Sequence, residues 1–276
     1  MQTSRGRGSY GGAAVELGVC TSPPGTRLAA ELVEAGCGYY EPTVARSIMK
    51  EDRETFEAGL EGWSAGGLPP RCANVLLPAT LRVVGEAVDP GALRAYITEA
   101  MERVGLLGIE RVVFGSGDAR RVPEGFSRDE ARRQLTDALR MAAEAAPPGS
   151  YVCLEHLRRA ETNIVNSLEE AGELVEELDL EPLGLVVDAF HLQEEDEDPS
   201  VIRRFGSRIA HVHVCGPRRQ PPGPSDEERL GRVFSELASV GYEGRCSIEC
   251  NWEDLGRQAP AALASVERAM QLGALA

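Results

Sequence analysis

The sequence predicts an α/β protein with the (β/α)8 architecture of a TIM barrel. Short β-branched runs alternate with longer amphipathic segments from residue 14 onward, which is the pattern of successive βα units. Eight such runs are present, matching the strand number of the barrel, and the 276 residues are close to the roughly 250 over which these barrels fold as one domain. An open doubly wound sheet is disfavoured because no Gly-x-Gly-x-x-Gly sequence follows the first strand.

Each predicted strand is a short run rich in apolar and β-branched residues. The eight strands cover residues 14–20, 38–41, 72–77, 111–115, 151–155, 183–188, 209–214 and 245–249. Apolar residues recur at helical spacing between them, and the predicted helices cover residues 26–35, 53–61, 91–104, 127–146, 167–178, 199–205, 226–240 and 259–272. We expect residues 1–12 to form a flexible N-terminal tail and residues 13–276 to form a single barrel domain.

Charge and composition exclude several classes of partner. The chain carries 29 basic and 44 acidic residues, a formal charge of −15, and an acidic protein repels the phosphate backbone of nucleic acid. No segment approaches the roughly 18 uninterrupted apolar residues that a membrane span needs. The seven cysteines are odd in number and mostly lie in apolar runs, which indicates reduced, buried thiols. We therefore expect a cytoplasmic protein whose partner is a small molecule, and the sequence leaves open whether copies assemble into a homo-oligomer.

Four residues that can bind a divalent metal lie at the ends of four successive predicted strands. Glu155, Asp188 and Glu249 each close a strand, and His213 lies one residue before the end of another. Because the strands of a parallel barrel all open on one face, these side chains are expected to converge there. Three carboxylates and one imidazole form an oxygen-rich set that suits one manganese, magnesium or cobalt ion. Any one of them alone could be a solvated or helix-capping group, but the four together favour a metal centre.

Three further residues are candidates for contact with a substrate. His191 lies just beyond the end of the sixth predicted strand, where a loop histidine can hydrogen-bond a substrate oxygen. Glu161 lies six residues beyond Glu155 and can orient a neighbouring group. Arg219 lies six residues beyond His213, in the loop expected above the metal, where a guanidinium can donate two hydrogen bonds. The alternative for each is an ordinary loop side chain.

Several short motifs together resemble a known family. They are Leu154-Glu155, Arg159-Ala160-Glu161-Thr162-Asn163, Val187-Asp188-Ala189-Phe190-His191, His211-Val212-His213-Val214, Arg219 ahead of Pro221-Pro222-Gly223, and Ser247-Ile248-Glu249. On these residues the chain resembles the xylose-isomerase-like sugar phosphate isomerase/epimerase superfamily, and within it the ketose 3-epimerases of the tagatose and psicose type. The resemblance extends over nearly the whole barrel, from Val19 to Glu249.

The resemblance implies a role for each candidate residue. The metal ligands that it implies are Glu155, Asp188, His213 and Glu249. Glu155 and Glu249 would also act as the acid/base pair. His191 and Arg219 would hold substrate oxygens, and Glu161 matches the family's supporting glutamate. The implied cofactor is one divalent ion, manganese before magnesium or cobalt.

The implied chemistry is proton abstraction next to a sugar carbonyl. A metal chelated by the carbonyl and the neighbouring hydroxyl would stabilise the enediolate, while one glutamate removes a proton and the other returns one. The sequence thus predicts an isomerase that acts on a ketose or a related keto-sugar. Two alternatives stay open: a lyase or dehydratase of the same superfamily, acting on an inosose or a 3-keto glycoside, and a non-catalytic sugar-binding barrel.

Overall fold

Eight parallel strands form a nearly closed barrel with helices between them, as the sequence predicts. The computed structural model describes residues 7–10 and 13–275. In this part of the chain the strands are β1 (Arg7–Tyr10), β2 (Ala13–Cys20), β3 (Tyr39–Glu41), β4 (Cys72–Ala73), β5 (Arg111–Phe114), β6 (Tyr151–Glu155), β7 (Leu183–Asp188), β8 (Ile209–Val214) and β9 (Arg245–Ile248). Parallel pairing runs from β4 through β5, β6, β7, β8 and β9 to β2 and then β3. Single parallel bridges at Tyr40–Pro70 and Thr43–Asn74 join β3 to the chain around β4 and bring the two edges together.

Helices connect the strands. The α-helices of the described residues are α1 (Thr26–Glu34), α2 (Arg53–Ala58), α3 (Pro90–Leu107), α4 (Gly117–Arg120), α5 (Arg128–Ala145), α6 (Leu168–Leu178), α7 (Ala189–Glu194), α8 (Ile202–Phe205), α9 (Glu227–Ser239) and α10 (Leu255–Ala274). Four 3-10 helices, Leu60–Gly67, Pro199–Val201, Gly206–Arg208 and Pro224–Asp226, and a π-helix, Val44–Ile48, lie in the loops. None of these helices is both long enough and apolar enough to cross a membrane.

The eight predicted strands agree closely with the eight parallel strands of the structure, with one clear exception. The strand predicted over residues 72–77 ends at Ala73, because Val75 has a φ of 49° and this left-handed conformation cannot continue a strand. The short helices α4 and α7 were missed, since four and six residues are too few to show a helical repeat. Helix α10 begins four residues before its predicted start because Asp254 accepts a hydrogen bond from the backbone N–H of Arg257.

The expected flexible tail over residues 1–12 needs a partial correction. Residues 1–6, 11 and 12 lie outside the described residues. Arg7–Tyr10, however, form β1, which pairs antiparallel with the first half of β2. In this pairing Arg7 is the partner of Glu16, and Tyr10 is the partner of Ala13. This segment is therefore an added strand outside the parallel barrel.

The two ends of the barrel differ in character. At the N-terminal end, Arg245, the first residue of β9, forms ion pairs of 2.9 Å with Glu16 of β2 and with Glu110, which directly precedes β5. Further along the interior, a Cβ atom on Gly18 would lie 2.4 Å from the Tyr39 ring, so the packing there leaves no free space. The C-terminal end is the end where barrel enzymes carry their active sites.

Candidate metal centre and active site

The structure brings together the four residues that the sequence predicts as metal ligands. Glu155 is the last residue of β6, Asp188 is the last of β7, His213 is next to last in β8, and Glu249 follows β9. Since β6, β7, β8 and β9 are consecutive neighbours in the barrel, their C-terminal ends lie side by side. One potential ligand atom from each residue lies within 4.8 Å of the others.

The imidazole of His213 lies at the centre of this cluster. Its Nδ1 atom is 3.1 Å from Glu155 Oε1, 3.8 Å from Glu249 Oε2 and 4.0 Å from Asp188 Oδ2. Asp188 Oδ1 accepts hydrogen bonds from the backbone N–H groups of Phe190 and His191 at the start of α7. Its other oxygen, Oδ2, is buried and has no hydrogen-bond partner among the described residues.

These features fit a divalent cation. A buried carboxylate oxygen without a partner is costly, and Asp188 Oδ2 lies in one cluster with two further carboxylates, Glu155 and Glu249. A cation bound among the four residues would satisfy this oxygen. The oxygen-rich donor set suits manganese, magnesium or cobalt rather than a metal that prefers thiolates.

Burial and close packing shift the protonation of the cluster. Burial raises the pKa of Asp188 to about 6, with Glu249 adding to the effect, and it also raises the pKa of Glu155. Burial opposes ionisation of Glu249, but His213 and Arg219 outweigh it and lower the pKa of that carboxyl. Burial likewise opposes charge on His213, yet the surrounding carboxylates raise its pKa well above the usual range. A cation bound here would therefore compete with protons for Asp188, Glu155 and His213.

Glu41 is a member of this site that the sequence reasoning missed. It is the last residue of β3 and is buried, and its Oε1 accepts a hydrogen bond of 3.0 Å from His213 Nε2. Its Oε2 accepts one of 2.8 Å from His211 Nε2 and another from the Ser247 hydroxyl. Burial opposes ionisation of Glu41, but the two histidines outweigh it and hold its pKa well below the usual range. An ionised Glu41 fixes the Nε2 proton of His213 and leaves Nδ1 facing the other carboxylates.

Asn74 is the second missed residue. Its side-chain Nδ2 donates a hydrogen bond of 3.0 Å to Glu249 Oε1, while Arg219 Nη1 donates one of 2.9 Å to the other oxygen, Oε2. The side-chain carbonyl of Asn74 is buried and has no partner among the described residues. Two donors from different loops thus fix the orientation of the Glu249 carboxylate. Asn74 was missed because it falls inside the strand predicted over residues 72–77 and not at the end of that strand.

Backbone strain is concentrated in the loops at this end of the barrel. Six non-glycine residues in the described chain have positive φ, and four of them follow β4, β5, β6 and β8: Val75, Ser116, Val165 and Arg219. Each such conformation costs about 1–3 kcal/mol and persists where surrounding contacts require it, often at functional sites. Ser116 follows Gly115, where a Cβ atom would lie 2.2 Å from Glu155 Oε2. A side chain at position 115 would therefore displace the Glu155 carboxylate from its observed position.

The three predicted substrate residues also lie together, on one side of the cluster. Arg219 Nη2 lies 3.2 Å from Glu161 Oε1 and 3.1 Å from His191 Nε2, and its guanidinium carbon is 4.4 Å from the centre of the Phe190 ring. His191 Nδ1 accepts a hydrogen bond from the Arg158 backbone N–H, and the Arg219 guanidinium, which can only donate, faces His191 Nε2. Burial lowers the pKa of His191 and favours the neutral imidazole.

The chain belongs to the Xylose isomerase-like TIM barrel family, which matches its residues 31–271. This finding confirms the family resemblance and the fold that the sequence predicts.

Relatives of the chain are named as sugar epimerases, which are isomerases. It is 32% identical over 126 residues to a probable ketose 3-epimerase of Synechocystis sp., covering 44% of this chain and 43% of that protein. It is 29% identical over 153 residues to 3-dehydro-D-guloside 4-epimerase of Escherichia coli, covering 54% and 58%. The chain thus spans about half the length of the curated relatives it matches. The crystal structure of 3-keto-D-glucoside 4-epimerase from Escherichia coli shares the fold, with a TM-score of 0.73, 21% identity and coverage of 91% of this chain and 98% of that chain.

The role of Glu41 leads to a prediction about metal affinity. Glu41→Gln keeps an oxygen that can accept from His213 but removes the charge that fixes the imidazole, and the loss of such a supporting group typically weakens metal binding about 10–100-fold. Isothermal titration with manganese would measure this change. Glu16→Gln, at the opposite end of the barrel, is the control and should leave the affinity unchanged. Equal affinities for the wild type and Glu41→Gln would show that Glu41 does not support the ligand.

Proposed function

We propose that this chain is a divalent-metal-dependent sugar epimerase or isomerase that acts on a ketose or a related keto-sugar. The observation that carries the proposal is the buried cluster at the ends of β6, β7, β8 and β9, in which Asp188 Oδ2 has no hydrogen-bond partner. The names of the relatives, which are sugar epimerases, support the same reaction class. In this proposal the metal ligands are Glu155, Asp188, His213 and Glu249.

A bound divalent ion, with manganese favoured over magnesium or cobalt, would supply Lewis-acid stabilisation for the negative charge that develops on substrate oxygens. The protein's own contribution is to fix the four ligands. Asp188 is held by two backbone N–H groups, and His213 is held by Glu41. These contacts set the positions of the donor atoms before an ion binds, which is the arrangement that a precise reaction requires.

Glu155 and Glu249 are the proposed acid/base pair. They come from β6 and β9, the outer two of four adjacent strands, and therefore flank Asp188 and His213. Their surroundings shift the two pKa values in opposite directions, upward for Glu155 and downward for Glu249. A pair of carboxyls with opposite shifts suits a reaction in which one group takes a proton from carbon and the other returns one. The configuration of the substrate decides which glutamate acts first.

His191 and Arg219 are proposed to hold substrate oxygens. The Nε2 atom of His191 faces the cluster, 3.7 Å from Asp188 Oδ2 and 3.1 Å from Arg219 Nη2, where it can contact an oxygen of the sugar. Arg219 is held by Glu249, Glu161 and the face of Phe190, which fixes its guanidinium at the side of the site. Glu161 acts by positioning Arg219. A cytoplasmic location and the oligomeric state stay predictions.

The proposed reaction predicts exchange of a carbon-bound proton with solvent. Incubation with manganese in deuterium oxide, against a panel of ketohexoses and 3-keto glycosides, should give deuterium at a carbon next to the carbonyl of at least one sugar, as measured by NMR. Glu155→Gln and Glu249→Gln should each lower the rate at least about 100-fold, since each loses a general acid or base. Asp188→Ala should lose most of its bound metal, which elemental analysis would detect. Exchange that persists at a near-normal rate in both glutamine variants would contradict the two-carboxylate mechanism.

Arg219 and its neighbour Arg218 give a matched comparison. Arg219 contacts the cluster, whereas Arg218 is exposed. Arg219→Ala should lower kcat/KM at saturating manganese by about tenfold or more, because it removes charge-assisted hydrogen bonds to the substrate, and it should also weaken metal binding, because Arg219 orients the proposed ligand Glu249. Arg218→Ala should change neither quantity. Equal and negligible effects in the two variants would remove Arg219 from the substrate site.

A further inference from the structure

A separate cavity lies beside the candidate active site, at the same end of the barrel. It has a volume of about 440 Å³, and its walls come from the loop after β2, the π-helix and loop after β3, helix α2, and the 3-10 helix Leu60–Gly67. None of its lining residues belongs to the cluster of Glu155, Asp188, His213 and Glu249.

The cavity is close to the cluster along the chain. Cys20 Sγ lies within 4.8 Å of ligand atoms of Glu41 and His213, and Ser22, only two residues further on, lines the cavity. Two residues of extended chain reach at most about 7 Å. On the other side, Thr43, two residues beyond Glu41, contacts the hydroxyl of the lining residue Ser47 at 3.3 Å. Residues 20–22 and 41–47 thus run from the wall of the cluster to the wall of the cavity.

The cavity contains two basic side chains without ion-pair partners in the described part of the chain, although the chain as a whole is acidic. Arg46 and Lys50 both line it and are exposed, and neither side chain has an ion-pair or hydrogen-bond partner among the described residues. By contrast Arg53, on the adjacent helix α2, is ion-paired to Glu57 and Glu99.

The cavity also offers hydroxyl groups and an aromatic wall. Glu51 is the one acidic side chain of the lining, so the two basic groups are in excess. Ser22, Ser47 and Thr55 add hydroxyl groups, and the half-buried Trp63 adds an aromatic surface. Basic groups with hydroxyl donors recognise phosphate and carboxylate, and aromatic walls are typical of pockets for small organic molecules. Because the net charge of −15 repels anions, an anionic ligand needs such a local basic group to bind.

We propose that this cavity binds an anionic group, a phosphate or a carboxylate, carried by the same keto-sugar whose reacting carbon lies at the cluster. This inference rests on the proposed function and narrows its substrate class. The substrate would be a sugar phosphate or a sugar acid rather than a neutral ketose. Arg46 and Lys50 would bind the anionic group, and Trp63 would cover the carbon chain between that group and the cluster.

Lys50 makes the proposal directly testable, because it is the only lysine in the sequence. Reductive methylation with carbon-13 formaldehyde labels one side-chain amine, which gives a single lysine signal in NMR. The protein loaded with magnesium, a diamagnetic ion that does not broaden the signal, would be titrated with a ketohexose 6-phosphate, a keto-uronate, the matching neutral ketohexose, and inorganic phosphate. The signal should shift saturably with an anionic sugar and not with the neutral one. The larger of the two anionic responses identifies phosphate or carboxylate as the group recognised.

Proton exchange provides the second measurement. The anionic sugar should exchange at least about tenfold faster, in kcat/KM, than the neutral one, consistent with charge-assisted contacts. Arg46→Ala and Lys50→Ala should each reduce this preference and leave exchange of the neutral sugar and metal content unchanged. Arg140→Ala, on the exposed face of α5, is the control and should retain the full preference.

The outcomes separate this inference from the proposed function. Exchange of neutral and anionic sugars at equal rates, with no effect of Arg46 or Lys50, would overturn the inference and leave the proposed function standing. A Lys50 signal that shifts equally with all sugars, or only with inorganic phosphate, would also overturn it. Absence of exchange with every sugar would overturn the proposed function and the inference with it.

Discussion

Three clustered carboxylates around one buried imidazole are the constraint on which the C-terminal end of this barrel depends. Glu155 and Asp188 are buried and Glu249 is part-buried, so their mutual repulsion must be compensated by positive charge or by protons. His213 and Arg219 provide part of that compensation, through contacts of 3.1 Å to Glu155 and 2.9 Å to Glu249. One oxygen of Asp188 is still without a partner among the described residues. In our proposal a divalent cation supplies the remaining positive charge and binds this oxygen.

Neighbouring residues hold the side chains of His213, Glu249 and Asp188 in place through hydrogen bonds. Glu41 holds His213, Asn74 holds Glu249, and the start of α7 holds Asp188 through two backbone amides. Several of these supports require unfavourable backbone, such as the left-handed Val75 directly after Asn74. Strain of this kind is stabilised by the rest of the barrel, whose N-terminal end is closed by the ion pairs of Arg245. One end of the fold therefore provides stability and the other provides the site.

The sequence predicts the barrel and the position of the ligand set because both follow from simple periodicity. Alternating runs give the strand count, and a polar residue at a strand end projects toward the C-terminal face, so Glu155, Asp188 and Glu249 could be found one at a time. Glu41 also ends a predicted strand, residues 38–41, so its position at a strand end is a signal that the sequence contains. Asn74 could not be found this way, because its position depends on the left-handed backbone at Val75, and nothing in a valine residue signals that conformation. Arg219 contacts Glu161 and Glu249 across loops that are far apart in sequence, so only the three-dimensional structure reveals these contacts.

The most direct test of the account is to locate the ion. Crystals grown with manganese, measured near the manganese absorption edge, would give an anomalous difference map that shows every bound manganese. The account predicts one peak per chain at the ends of β6 to β9, with oxygens of Glu155, Asp188 and Glu249 and the Nδ1 atom of His213 as its protein ligands. A map without a peak there, or with a peak held by Glu41, Cys72 and His211 instead, would contradict it.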